Sequence, residues 1–497
     1  MRLISHRLAP AVAWIVLAAV ATAAAQTSAP VDPLDDLVKM FQDPAKAAAV
    51  LTALRATDDK DLAPFYKALA ASGNKDWRLF SIGALADAAG KDAAATFSDR
   101  LKNDPSMVVR TEALLAMIAL KVGSDDELTA AMNAPDENLQ CIAARTLIQK
   151  DASRDAALKA LEKLTASKDT ATAALARMSL LGQGRKDQLD PLRAMMKDPQ
   201  TPSDVLAIML EQVGEEKIAP AAELMEMVIA SDQPWQLKLR AHRSLSAISD
   251  KPPRLLLDAI ATADQTVFRV HLTRALALRS DSAAAIEELA KGEGVVAAVA
   301  RFEKARPAGG DAASKAALDA VRLAHPVVLD YVLDRARQDL KERPAECDFY
   351  VPALVNVVES VNADPQDIKQ EHFKATRAGT ILADLGSPRA IDQIKKILQG
   401  KYTAVTRVMA TGMLRSTNPA MCDVARPLLD SPYGELSMDA ALLLGRLGDK
   451  GASGALRAVT DNPQKNSILL VVMADWYRLK IDGRSKAAAE ALAKAVK

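Results

Sequence analysis

Aromatic side chains are scarce in this chain: 4% of its 497 residues, with 4 Trp, 6 Tyr and 8 Phe. No stretch sustains a period-two alternation of Val, Ile, Thr and aromatics, so no sheet is expected. Cysteine is scarcer still. Cys141, Cys347 and Cys422 cannot staple a chain of this length, and none stands in a C-x-x-C or C-x-x-C-H arrangement, which excludes the common zinc, redox and haem-attachment patterns. The three read as free, buried, alanine-like residues. An excess of charge is missing too. The 64 Lys+Arg stand against 63 Asp+Glu, a balance without the basic footprint of a nucleic-acid binder. His242, His271, His325 and His372 are widely spread, and neither an H-E-x-x-H motif nor a phosphate-binding G-x-x-x-x-G-K-[ST] loop occurs. No metal, cofactor or catalytic residue is therefore assigned.

What the chain does have is a large apolar fraction, 49%, rich in Ala and Leu, which reads as helical. Its leading 25 residues are set apart. Arg2, His6 and Arg7 form a basic head, Ala11–Ala25 is an uncharged apolar run, and Ala23-Ala24-Ala25 precedes Gln26. This is the pattern of a secretory signal peptide; the alternative is an uncleaved membrane anchor, for which the run is short and weakly hydrophobic. Residues 1–25 are expected to be removed, leaving an exported bacterial protein, periplasmic or secreted, with no membrane span. The segment carries two arginines and no acid, so its loss moves the net charge from +1 to −1.

A repeat dominates the remainder. The segment Leu436–Asp449 is a helical apolar run closed by Gly, and steps of 31 lead back to Val405–Leu414 and Lys374–Leu382. The same slot recurs at Lys46, Arg78, Arg110, Gln140, Thr172, Asp204, Lys238 and Arg269, in steps of 30 to 34, and again at Ile468. Further helical runs lie between these, separated by turns such as Asp104-Pro105-Ser106, Asp198-Pro199 and Ser387-Pro388. Each unit of about 31 residues thus reads helix, turn, helix, and a helix pair buries its apolar stripe only by stacking on neighbours. An elongated array follows.

Asp76-Trp77-Arg78, Asp104–Arg110 and the Ala-Ala, Leu-Gly and Leu-Gly-Asp elements of Leu436–Asp449 resemble HEAT repeats, particularly the short variety named after phycobilisome lyases. The resemblance covers roughly residues 34–305 and 366–482. It implies an all-α, right-handed α-solenoid and says little about activity, because such arrays serve many roles. The absence of any His-Glu dipeptide separates the chain from di-iron HEAT hydroxylases.

The register divides the chain into regular repeats over 26–290, irregular repeats with enlarged loops over 291–372, regular repeats over 373–484 and an Ala/Lys helix over 485–497. Two functional readings follow. The first is an interaction scaffold without catalytic activity that presents a groove to a protein or peptide, with Arg240, Arg243, Phe349 and Tyr350 as candidate partner-binding residues. The alternative is an enzyme or small-ligand-binding protein with a site in 292–365, where His325, Glu346, Asp348 and Tyr350 would have to converge. The recurrent basic residues Arg78, Arg110, Lys238, Arg269 and Arg407 form either a groove-lining stripe, in which Arg240, Arg243 and Arg274 would join, or a ladder to turn aspartates such as Asp76, Asp104 and Asp264.

Overall fold

The computed structural model describes residues 32–248, 254–361, 370–400 and 402–496; the expected signal segment lies outside them. Among the described residues there are 29 α-helices, several short 3-10 turns and no strand. The chain is an all-α solenoid built of HEAT-like helix pairs. Nothing singles out the short phycobilisome-lyase variety.

The register slots fall in the first turns of successive second helices: Arg78 in Lys75–Ala88, Arg110 in Met107–Leu120, Gln140 in Glu137–Leu147, Thr172 in Thr170–Gly182 and Asp204 in Ser203–Glu215. Local chemistry starts these helices. Asn74, Asp136, Asp169, Thr403 and Ser467 each accept a hydrogen bond from a first-turn N–H that has no partner within its helix. Gly386 (φ +56°) and Gly448 (φ +77°) follow helix ends in the left-handed conformation that glycine adopts without strain.

The described chain forms two compact units, one of residues 70–300 and one that joins residues 32–69 to 301–496. In the first, second helices pack directly on second helices from Lys75–Ala88 through Thr266–Ala277, whereas first helices touch one another little. The unit's core holds Met178, Leu181, Met209, Leu210, Val213 and Leu245, each at most 1% exposed.

The second unit has the same construction from Pro326–Glu342 through Gln370–Leu385, Ala404–Met413, Gly434–Arg446 and Ile468–Ile481. Small residues set its spacing. A Cβ at Gly412 would stand 2.7 Å from the Thr376 carbonyl oxygen, so only glycine lets these backbones approach so closely. Within this unit the described part of the irregular segment is helical, Gly310–Arg322, Pro326–Glu342 and Val351–Glu359. Its period slips because Pro326–Glu342 runs 17 residues and a seven-residue 3-10 segment, Pro344–Tyr350, follows it.

The two ends of the described chain meet within this unit. Helices Pro33–Gln42 and Ala47–Ala56 pack against Ile468–Ile481, taking the place of the next repeat. The terminal helix Ser485–Ala495 docks on Pro33–Gln42. Polar contacts fasten the seam: Trp476 Nε1 donates to Asp59 Oδ2 at 3.2 Å, Ser485 Oγ to Asp61 at 2.6 Å, and Arg484 meets Asp32 at 2.7 Å.

Candidate functional site

The basic register residues divide by what they touch. Arg78 is buried and forks onto Asp104 of the next turn, at 2.8 and 3.1 Å, while its remaining nitrogen donates to the carbonyls of Ser72 and Gly73. Burial opposes the charge on Asp104, but Arg78 and the Ser106 N–H outweigh it and hold the carboxyl below its ordinary range. Arg110 uses a backbone acceptor instead, the Leu101 carbonyl at 2.8 Å. Asp76 is exposed and bonds to no register arginine. A polar seam that the register did not announce runs deeper: Arg145 donates to Ser179 Oγ at 3.1 Å and to Glu216 at 3.0 Å, and Gln212 donates to the same serine at 3.3 Å.

A different arrangement occupies the solvent side of Trp235–Ile248 and Thr266–Ala277, the last second helices of their row. Helical spacing puts Gln236, Arg240, Arg243 and Ala247 on one face, and Val267, His271, Arg274 and Leu278 on the next, 31 residues along. Arg240 bonds Glu211 of the preceding second helix at 2.6 Å. Arg243 is exposed and makes no hydrogen bond or ion pair among the described residues. Crowding by surrounding protein strips water from its guanidinium, and the neighbouring cations Arg274 and Arg240 add repulsion, so its pKa lies below the ordinary arginine value. Leu278 is 59% exposed, one turn beyond Arg274. Beneath this surface Trp235 stacks on His271, with ring centroids 6.2 Å apart. His242 packs against Phe268, and burial, with Lys238 nearby, holds it neutral with a pKa of about 4.

Phe349 and Tyr350 require a correction as partner-binding candidates. They are 3% and 0% exposed and lie against each other with ring centroids 4.2 Å apart, so neither is presented to a partner. The Tyr350 hydroxyl donates to Asp339 Oδ2 at 2.7 Å inside a buried ionic cluster. There Arg335 forks onto Glu303 at 2.7 and 2.8 Å, Tyr331 donates to Glu303 at 2.5 Å, and Arg306 and Arg343 meet Asp339 at 2.6 and 3.0 Å. Burial works against every charge here. The arginine contacts outweigh it and hold Glu303 and Asp339 below their ordinary pKa values, and the Glu303 carboxylate holds Arg335 above its own. Burial and the Asp339 carboxylate push the Tyr350 phenol up.

The four groups that a ligand site in 292–365 would need do not converge. Glu346 is spent on Arg343 at 3.1 Å, Asp348 faces solvent, and His325 precedes Pro326–Glu342 at that helix's start. The sequence did carry a signal for the cluster: Arg335, Asp339 and Arg343 recur at i, i+4 on one helix face.

Elsewhere the titratable groups are structural. Burial pushes the Cys141 and Cys347 thiols up to about 11, and all three cysteines are free. In the closing seam Asp475 is fully buried, its Oδ2 has no hydrogen-bond partner, and burial together with Asp36 raises it to about 8 against the pull of Arg478. Asp439, on Gly434–Arg446, is raised to about 7 by burial and Glu435. Among the described residues no group of three or more His, Cys, Asp and Glu is placed to hold a metal ion, and no helix is long and apolar enough to cross a membrane.

No family model matches the sequence, and no curated protein does. Among solved structures the chain is similar to Kap121p, with a TM-score of 0.36 and 14% identity over 90% of this chain and 56% of that one. It is similar also to Kap95p in complex with RanGDP, at 0.33 and 13% over 85% and 55%. A third is the karyopherin Kap121p bound to the SUMO protease Ulp1p, at 0.32 and 14% over 92% and 54%. The chain thus spans little more than half the length of these proteins.

Proposed function

We propose that the protein is an interaction scaffold, without catalytic activity of its own, that binds a protein or peptide along the second-helix face of residues 70–300. One observation carries this reading. Charged residues of the buried cluster are committed to one another, whereas the face holding Arg243 and Leu278 keeps charge and apolar surface available. A stacked array suits the task, because side chains contributed by successive repeats make one continuous surface. We place the scaffold outside the cytoplasm of a bacterium, by the signal pattern of residues 1–25.

The test is a photo-crosslinking scan in the native cells. A photoreactive residue at Leu278 or Ala247 should yield a defined adduct, and one at the exposed Asp155, on the first helix Arg154–Leu164, should not. Absence of any adduct on the second-helix face sinks the scaffold reading. For export, N-terminal sequencing of the cellular protein should begin at or near Gln26; finding Met1 in the mature protein refutes it.

A further inference from the structure

We infer that the face built by Arg240, Arg243 and Arg274 docks an acidic peptide segment, with Leu278 receiving an aliphatic side chain beside the carboxylates. The inference rests on the scaffold reading and adds the chemistry of the partner. Its basis is a difference in charge pairing on the same molecule. Arg78, Arg145, Arg306, Arg335 and Arg343 all meet a carboxylate at 2.6–3.1 Å. Arg243 meets none, although it stands among other cations and is accessible.

An isolated surface arginine would be unremarkable, since water screens it. Arg243 differs by its surroundings. Surrounding protein displaces part of its hydration, and Arg274 occupies the equivalent position on the adjacent helix. Glu211, the acid within range, already holds Arg240. Glu211 offsets only part of the repulsion on Arg243, and a carboxylate placed on its free N–H groups would offset more. A guanidinium presents paired N–H donors matched to two carboxylate oxygens, so the fit is to carboxylates and favours a segment with more than one. Leu278 adds apolar area at the rim, which neither a free phosphate nor a purely ionic partner would use.

The experiment uses the mature chain and a fluorescein-labelled synthetic peptide rich in Glu and Leu, followed by fluorescence anisotropy, with a Lys/Leu peptide of equal length as control. The acidic peptide should bind and the basic one should not, and added salt should weaken binding. Arg243→Gln should weaken it about tenfold, the scale of one hydrogen bond to a charged group, while Arg243→Lys should lose less. Leu278→Ser should weaken it without changing its salt dependence. Equal binding of both peptides, or acidic-peptide binding indifferent to Arg243→Gln and to Arg243→Glu, overturns the inference. The crosslinking scan separates that failure from failure of the scaffold reading. A partner crosslinked to the face but insensitive to Arg243→Gln removes the acidic-segment assignment alone; no crosslinked partner removes both.

Discussion

The buried cluster of Glu303, Tyr331, Arg335, Asp339 and Tyr350 and the exposed face of Arg240, Arg243 and Arg274 use the same residue type to opposite ends. In the cluster every guanidinium has a carboxylate, every carboxylate has at least two donors, and aromatic rings exclude water. Charge there is spent on fixing how an over-long helix meets its neighbours. On the face, one guanidinium is left without an acid and near others of its own sign. Arginine content alone does not separate the two regions; pairing and burial do.

The largest effect should come from breaking the cluster. Glu303→Gln leaves Arg335 buried without a charge partner and facing one acceptor oxygen instead of two, and removing one member of a buried pair costs about 3–5 kcal/mol. Urea unfolding should show that loss; a loss within error of zero would mean that the cluster is not what holds Pro326–Glu342 in place. Arg78→Ala should cost somewhat less, because the buried Asp104 keeps the Ser106 N–H at 2.9 Å and Arg100 at 3.5 Å. Arg110→Ala, which gives up one bond to a carbonyl, should cost only about 1 kcal/mol.

The closing seam offers a test by pH. The folded pKa of Asp475 is about 8 against an ordinary 3.8, so its contribution is whole below that ordinary value and is lost as pH rises toward 8. Over that window stability should fall with a slope of up to ~1.4 kcal/mol per pH unit relative to Asp475→Asn, which cannot ionise. Parallel pH profiles for parent and variant would show that the carboxyl is not buried. Packing comes next. Gly412→Ala drives a methyl against the Thr376 carbonyl and should cost about 1–3 kcal/mol, read as a lowered melting temperature. The smallest effect belongs to the face: Arg243→Gln should change stability by less than about 0.5 kcal/mol, and toward greater stability.

Much of the fold was legible because the repeat is written in local chemistry. The slot at Arg78, Arg110 and Gln140 marks the start of a second helix each time. The seam was not legible. Trp476 and Asp59 are 417 residues apart, and no periodicity reports which ends of a stack meet. Within the candidate site, Arg240 and Arg243 were readable as positions off the register slot. Tyr350 was misread because an aromatic beside a turn looks exposed until the partner that buries its hydroxyl, Asp339 eleven residues earlier, is in place.

The contrast between paired and unpaired arginine is tested most directly by melting the parent and Arg243→Gln, each with and without a saturating acidic Glu/Leu peptide. A ligand that binds only the folded state raises the melting temperature by an amount that grows with the logarithm of its concentration over Kd. The account predicts that the free variant melts at or above the parent and that the peptide stabilises the parent much more than the variant. A variant that melts well below the parent, or that gains as much from the peptide, would contradict it.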